Sequence, residues 1–299
     1  MQLSQATVVS TTKTRKVREY IALMKLRLTS LVIFSTAITF ILANIRPFNW
    51  LAFGGTILGG ILVVASSNSF NQICERHLDK MMNRTANRPL PSNKITVNEA
   101  LMVAFVTGII GVLMLYVTAN LLTAALSLIS LLLYVLLYTP LKRITPLSVF
   151  VGAIPGALPA LLGYTAASGV LSFEALIVFA IQFFWQFPHF WTIAWVLDDD
   201  YKKAGFVMLP STQRDKHSAY FTIIYTAALL PIGVLMFGYN LTGWFGFSAL
   251  TLAGGWLLYL SINLYRHCSI ESARKLMFAS FVYLPIILLA LVIDRFFIK

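Results

Sequence analysis

Asn71, Glu75 and Asp79 recur every four residues at the end of a long apolar run. If the helix of that run continues, the three share one face, roughly 6 Å apart per step. Carboxylates at that spacing can hold a hard divalent cation. Arg84 and Arg88 follow one and two turns later and can hold an anion. Together they describe a metal-assisted phosphate or pyrophosphate site at a membrane edge. A second acidic group, Asp198, Asp199 and Asp200, opens residues 197–217. The two groups hold five of the eleven Asp and Glu in the chain. Acids near lipid are costly unless paired or metal-bound, which makes them site candidates. For Asp198 and Asp199, simple solvation of a helix end explains the charge equally well.

Arg84, Arg88, Lys142 and Arg143 could cradle a diphosphate, because guanidinium forks match phosphate oxygens. Ordinary anchoring at the membrane surface is the competing explanation for any one of them. Lys142 and Arg143 carry more weight, because the connection Thr139-Pro140-Leu141-Lys142-Arg143 is very short. His189 lies inside an apolar run, Trp185-Gln186-Phe187-Pro188-His189-Phe190-Trp191. A hydrogen-bonded core histidine and a substrate-facing histidine both fit that setting. The aromatics around it fit a lipid-facing belt, a packed core or a pocket whose ring faces stabilise a cation. Gly152, Pro155, Gly156, Pro159 and Gly163 read as close helix packing, or as a broken helix beside a cavity. His77, His217 and His267 are expected to be solvated.

The elements that must position these groups are membrane helices. The chain has 299 residues, is 58% hydrophobic and only 11% charged. Its mean hydropathy is +0.79. These values exclude an ordinary soluble domain and indicate an all-α polytopic membrane protein. Nine apolar segments are predicted, at 28–46, 50–73, 97–118, 121–139, 147–167, 173–196, 218–239, 243–263 and 277–296. Each is long enough, or nearly so, to cross about 30 Å of hydrocarbon. With the N-terminus inside, all of the 23 Lys and Arg except Arg46, Arg295 and Lys299 fall on the cytoplasmic side. That bias sets the C-terminus outside and accounts for the net charge of +12 without nucleic acid. Cys74 and Cys268 have no paired-cysteine or histidine context, so neither a zinc site nor a disulfide framework is expected. The N-terminal stretch lacks the features of a cleaved signal or transit peptide, which favours a bacterial cytoplasmic (inner) membrane. The two long inside connections each begin with carboxylates and later read Leu-Pro-Ser, at 90–92 and 209–211. This pattern is consistent with a duplicated four-helix unit carrying one extra helix.

Three groups of residues carry a family resemblance. Asn71-Gln72, Glu75-Arg76, Asp79, Met82, Arg84-Thr85 and Arg88-Pro89-Leu90 resemble the first signature of the protohaem IX farnesyltransferases (haem O synthases). These form one branch of the UbiA-type intramembrane prenyltransferases. Tyr138-Thr139-Pro140-Leu141-Lys142-Arg143, with Gly152 to Ala157 and Pro159, is similar to the middle signature. Pro188-His189-Phe190, Asp200-Tyr201, Ala204-Gly205 and Met208-Leu209-Pro210 are similar to the last. Three signatures in order over roughly residues 20–295 make the likeness specific.

The resemblance implies nine helices around a central cavity. It implies a cytoplasmic tail over 1–27 and a single transmembrane prenyltransferase domain over 28–299. The implied reaction joins farnesyl diphosphate to a vinyl group of haem B, with water, giving haem O and diphosphate. Mg²⁺ is the implied cofactor, and haem B is a substrate. The family's Asn-x3-Asp-x3-Asp motif falls on Asn71, Glu75 and Asp79, with Glu in the middle place. Asp200, with Asp199, carries the second acidic motif. His189 stands where quinone-type relatives have an acid. Catalysis is thus expected at Asn71, Glu75, Asp79 and Asp200, with metal held by these four and Asp199. Substrate contacts are expected from Arg84, Arg88, Lys142, Arg143, His189 and Tyr138. His77 and Val207 depart from the family pattern without touching the metal motif. The lipid bilayer is an expected partner, and a haem A synthase or a terminal oxidase assembly is the expected protein partner. A prenyltransferase with an aromatic acceptor is the rival within the fold. An anion carrier is the rival outside it, but a carrier places its binding groups near the midplane.

Overall fold

The computed structural model describes residues 16–43 and 47–297. Residues 1–15 of the expected tail, Arg46 and Lys299 lie outside them. The described residues form helices and no strand. In order they are α1 (Lys16–Met24), α2 (Leu26–Leu42), α3 (Trp50–Asp79), α4 (Val97–Thr118), α5 (Leu121–Leu141), α6 (Ser148–Ser168), α7 (Phe173–Val196), α8 (Asp198–Lys203), α9 (Lys216–Gly238), α10 (Trp244–His267) and α11 (Ile270–Phe297). Among the described residues eight helices are long and apolar enough to cross a membrane. The bent pair formed by α1 and α2 makes a ninth, with 55° between its arms. The bend falls at Lys25, whose backbone is left-handed at φ 53°.

Local chemistry sets the helix starts. The side chains of Asn49, Asn120, Ser172 and Asp215 each accept from the backbone N–H three residues on. Thr96 and Glu99 close a reciprocal capping box at α4. Three predicted segments differ from the helices found. The helix α3 runs on to Asp79 rather than stopping at residue 73. The α9 helix is interrupted at Ala228. Pro231 explains the interruption, because it lacks an N–H and its ring crowds the carbonyl one turn back. Finally, α11 begins at Ile270, a full turn and more before the predicted 277. Its first turns carry an exposed Glu271–Lys275 pair at 2.7 Å, charge that reads as loop in sequence.

The core centres on α6 and α7. Phe187, Trp191 and Trp195 are almost fully buried, and Phe187 and Trp191 pack against Phe150 of α6 and Tyr225 of α9. These aromatics are therefore core rather than a lipid-facing belt. The helix α6 continues through Pro155 and Pro159 unbroken. Pro159 leaves the Pro155 carbonyl without its helical donor, and Ser130 of α5 donates to it at 3.2 Å. Gln182 and Gln186 of α7 donate to the carbonyls of Gly156 and Ala153 at 2.9 and 3.2 Å. Thr36 of α2 donates to the Pro159 carbonyl at 3.1 Å. Neighbouring helices thus satisfy carbonyls of a proline-containing helix that lipid could not.

At the far end, Asp294 of α11 is buried and accepts from Thr242 Oγ1 at 2.8 Å and from Gly246 N at 3.0 Å. It also accepts from the N–H of Gly243. A side chain from one helix therefore caps the start of another, since Gly243 has none of its own.

Two glycines allow a matched test of this packing. A Cβ on Gly163 would lie 2.0 Å from the Thr36 carbonyl oxygen, whereas one on Gly54 would meet nothing within 4 Å. Gly163→Ala should destabilise the protein by about 1–3 kcal/mol. Gly54→Ala should be neutral or stabilising by up to about 1 kcal/mol. Thermal unfolding in detergent reads both.

Candidate active site at one end of the bundle

Because α3 runs to Asp79, Asn71, Glu75 and Asp79 share a face, and all three are buried. A buried carboxylate needs a partner. Lys142 Nζ lies 2.7 Å from Glu75 Oε1. Arg88 Nη1 donates to both oxygens of Asp79 at 2.8 Å. Asn71 Nδ2 donates to Thr139 Oγ1 at 3.3 Å, so its carbonyl oxygen is not spent on that contact.

Lys142 is held from several directions. The last two turns of α5, Leu133–Tyr138, widen into π-helix. Such widened turns re-aim the side chains that follow. The Tyr138 ring lies 4.4 Å from Lys142 Nζ. Gly152 of α6 makes room for that ring, since a Cβ there would come within 2.5 Å of it. Burial alone would lower the Lys142 ammonium, but Tyr138 and Glu75 beside it hold it above the ordinary lysine range. It is therefore a fixed cation.

The remaining basic residues differ in placement. Arg84 and Arg143 are exposed and make no side-chain ion pair among the described residues. Lys25, at the bend between α1 and α2, was legible in sequence only as one more basic residue of the tail. In the structure it sits within electrostatic reach of Arg88, Lys142, Glu75 and Asp79. No sequence signal separates it from a membrane anchor.

The three connections at this end are stitched together. Asp200 accepts from the backbone N–H groups of Asn83 at 3.1 Å and Arg84 at 3.5 Å. Burial alone would raise its carboxyl, but these donors and Lys203 hold it below the usual aspartate range. The Val207 N–H donates to the Lys142 carbonyl at 2.7 Å. Leu90 and Leu209, of the two Leu-Pro-Ser runs, are both buried here. Asp198 pairs with Lys202 at 2.7 Å. Asp199 points elsewhere: its side chain is 77% exposed and is gripped by the Arg214 fork at 3.1 and 3.2 Å. Among the described residues no three His, Cys, Asp or Glu converge into a ready metal cage. The donor set still fits a hard cation that keeps few protein ligands and shares phosphate oxygens. An amide oxygen and two carboxylates stand in line, with cations that could move to a phosphate.

His189 lies on α7, two turns before its end, away from the acids. It is buried, and its Nδ1 lies 2.9 Å from Ser280 Oγ of α11. Trp185 stacks on its ring at 4.6 Å, and the edge of Phe281 meets it at the same distance. Ser280 carried no site signal in sequence, and Trp185 carried only that of the aromatic run around His189.

The profile of the UbiA prenyltransferase family matches residues 31–284. The protoheme IX farnesyltransferase of Cytophaga hutchinsonii is 45% identical over 280 residues, covering 93% of this chain and 98% of the relative. A solved digeranylgeranylglyceryl phosphate synthase superposes with TM-score 0.80 at 20% identity, covering 94% of this chain and 98% of the other. A UbiA homologue from Archaeoglobus fulgidus bound to GPP and Mg²⁺ superposes with TM-score 0.65 at 12% identity, covering 91% and 99%. At these identities the two structures share the fold. The sequence match over most of the chain carries further: this polytopic membrane protein belongs to the UbiA prenyltransferase family.

Proposed function

We propose that this chain transfers the farnesyl group of farnesyl diphosphate to a vinyl group of haem B, with addition of one water to the alkylated vinyl group, giving haem O and diphosphate. The observation that carries the reading is the buried row Asn71, Glu75 and Asp79, locked to Thr139 and Lys142 at the end of α5 and to Arg88 after α3. Nearly full-length likeness to a protoheme IX farnesyltransferase supports the choice of substrates. A divalent cation, Mg²⁺, is the proposed cofactor, as in the GPP-bound homologue. Asn71, Glu75, Asp79 and Asp200 would hold it. When bound, it offsets charge on the leaving diphosphate and so eases ionisation of the carbon–oxygen bond.

The chain's own groups do the rest. Buried Lys142 and partly buried Arg88 and Lys25 already stand where a diphosphate would meet the acids. They share the leaving group's charge without first having to be ordered. Arg84 and Arg143 are exposed cations at the mouth and would meet the incoming diphosphate. Tyr138 holds Lys142 and walls the site on the α5 side. The closed, apolar bundle keeps bulk water from the allylic cation until the vinyl carbon captures it. His189, farther along α7, serves the haem side. Asp199 is proposed to steady Arg214 rather than to bind metal. The clustering of Lys and Arg at the acidic end supports a cytoplasmic N-terminus and an outside C-terminus in a bacterial inner membrane. Packing supports one domain that takes in α1 as well, since Leu23 is fully buried.

Purified protein given haem B, farnesyl diphosphate and Mg²⁺ should yield a mass-shifted haem by liquid chromatography and mass spectrometry. An unchanged haem mass from folded protein overturns the reading. Glu75→Gln and Asp79→Asn should each lower turnover by about 100-fold or more. Asp199→Asn should stay within about twofold of wild type, because its exposed pair is worth little. Lys25→Met should weaken binding of farnesyl diphosphate by about tenfold, roughly the 1.4 kcal/mol of one charge-assisted contact. Isothermal titration with a non-hydrolysable analogue measures it.

A further inference from the structure

We infer that His189 is an axial ligand to the iron of the porphyrin substrate through Nε2, and that Ser280 is the positioning residue that sets it up. This rests on the reading that the acceptor is haem. The geometry begins with one proton. Ser280 Oγ donates its only hydrogen to the Met277 carbonyl, at 2.6 Å. Its contact with His189 Nδ1 at 2.9 Å must then be one in which the ring N–H donates and Oγ accepts. That fixes the tautomer: Nδ1 carries the proton and Nε2 carries the lone pair. Among the described residues Nε2 has no hydrogen-bond partner, and it is not one of the enclosed unpaired polar atoms.

The ring's surroundings make it a neutral Lewis base. Trp185 stacks on one face, nearly parallel at 19°. The Phe281 ring stands perpendicular to it at 90°. Phe190 meets it at 62°. No carboxylate touches it, so nothing there favours an imidazolium. The Trp185 indole N–H also donates to the Ser280 carbonyl at 2.8 Å. The residue that stacks on the histidine therefore also ties down the turn that orients it. A histidine that gives Nδ1–H to a fixed acceptor and leaves Nε2 free is the usual arrangement of a metal-ligating histidine. The Lewis acid this reaction brings into the bundle is the porphyrin iron, and the flat aromatic walls suit the macrocycle around it. Ligation would hold the ring system in one orientation and so choose which vinyl group faces the allylic carbon.

Titration of the purified protein with haem B, followed by absorption and resonance Raman spectra, tests the assignment. Wild type should bind haem with an iron–histidine signature and convert it when farnesyl diphosphate is added. His189→Ala should lose that signature and regain a five-coordinate species with added imidazole. Ser280→Ala should shift the iron–histidine stretch and weaken haem binding about 10-fold. Ser280→Thr should restore both, a rescue that lost packing would not give. Iron-free protoporphyrin should bind wild type and His189→Ala alike. An unchanged iron–histidine signature in His189→Ala overturns the inference while wild-type farnesylation of haem leaves the proposed function standing. Wild type that neither ligates nor farnesylates haem overturns both.

Discussion

The structure depends on giving two buried carboxylates partners inside an apolar bundle. Glu75 and Asp79 sit near the end of a 30-residue helix, and both are buried. Left unpaired, each would cost several kcal/mol. The basic residues of the same turns, Arg76, His77 and Lys80, point to the exposed side, so the partners come from elsewhere. Lys142 arrives from the end of α5 and Arg88 from the connection after α3. Much of the local architecture follows from delivering those two cations. The π-helical turns of α5 aim Lys142, and Tyr138 supports it. Gly152 makes room for Tyr138, and the Val207 N–H ties the Lys142 carbonyl to the second acidic connection. Such pairs suit a reactive site better than a structural one. Each cation can turn from a carboxylate to a phosphate without any charge crossing an apolar layer.

The same economy of polar groups governs the middle of the bundle. Two prolines would leave carbonyls of α6 bare in lipid. Ser130, Thr36, Gln182 and Gln186 converge on the carbonyls around them from three helices. These contacts fasten α6 to α2, α5 and α7, the helices that also carry or flank the site. The α7 helix connects the two functional regions. Its middle holds His189 against α11, and its end leads into Asp200, which reaches the turn after α3. Charge chemistry and the histidine are therefore held apart on one rigid element, which suits a reaction between an anionic head group and a large flat acceptor.

Much of the fold was legible in the chain. Apolar runs separated by charged or turn-forming residues are dictated by the thickness of hydrocarbon, so the spans could be placed from hydropathy alone. The places where the spans differ have local causes. Charge at 271–275 hid the start of α11, and Pro231 broke α9 at Ala228. The four-residue spacing of Asn71, Glu75 and Asp79 also carried its own meaning, because a continuing helix must place them on one face.

Side-chain partnership was not legible, because it is a property of distance in space. Nothing in the sequence distinguishes Lys25 from Lys16, yet one faces the acids and the other pairs with Glu99 at the surface. Asp199 and Asp200 were both expected to hold metal, yet one is solvated and the other caps a turn of a different connection. Ser280 reads as an unremarkable small residue until α11 packs on α7 and brings it to His189. The sequence by itself determined a helical membrane protein and the shared face of Asn71, Glu75 and Asp79, since helix periodicity and hydrophobic thickness act along the chain. Only the tertiary structure decided which cation meets which carboxylate, and which residue of α11 meets His189. Those outcomes depend on a few ångströms between segments far apart in the chain, and no pattern of residues along it encodes them.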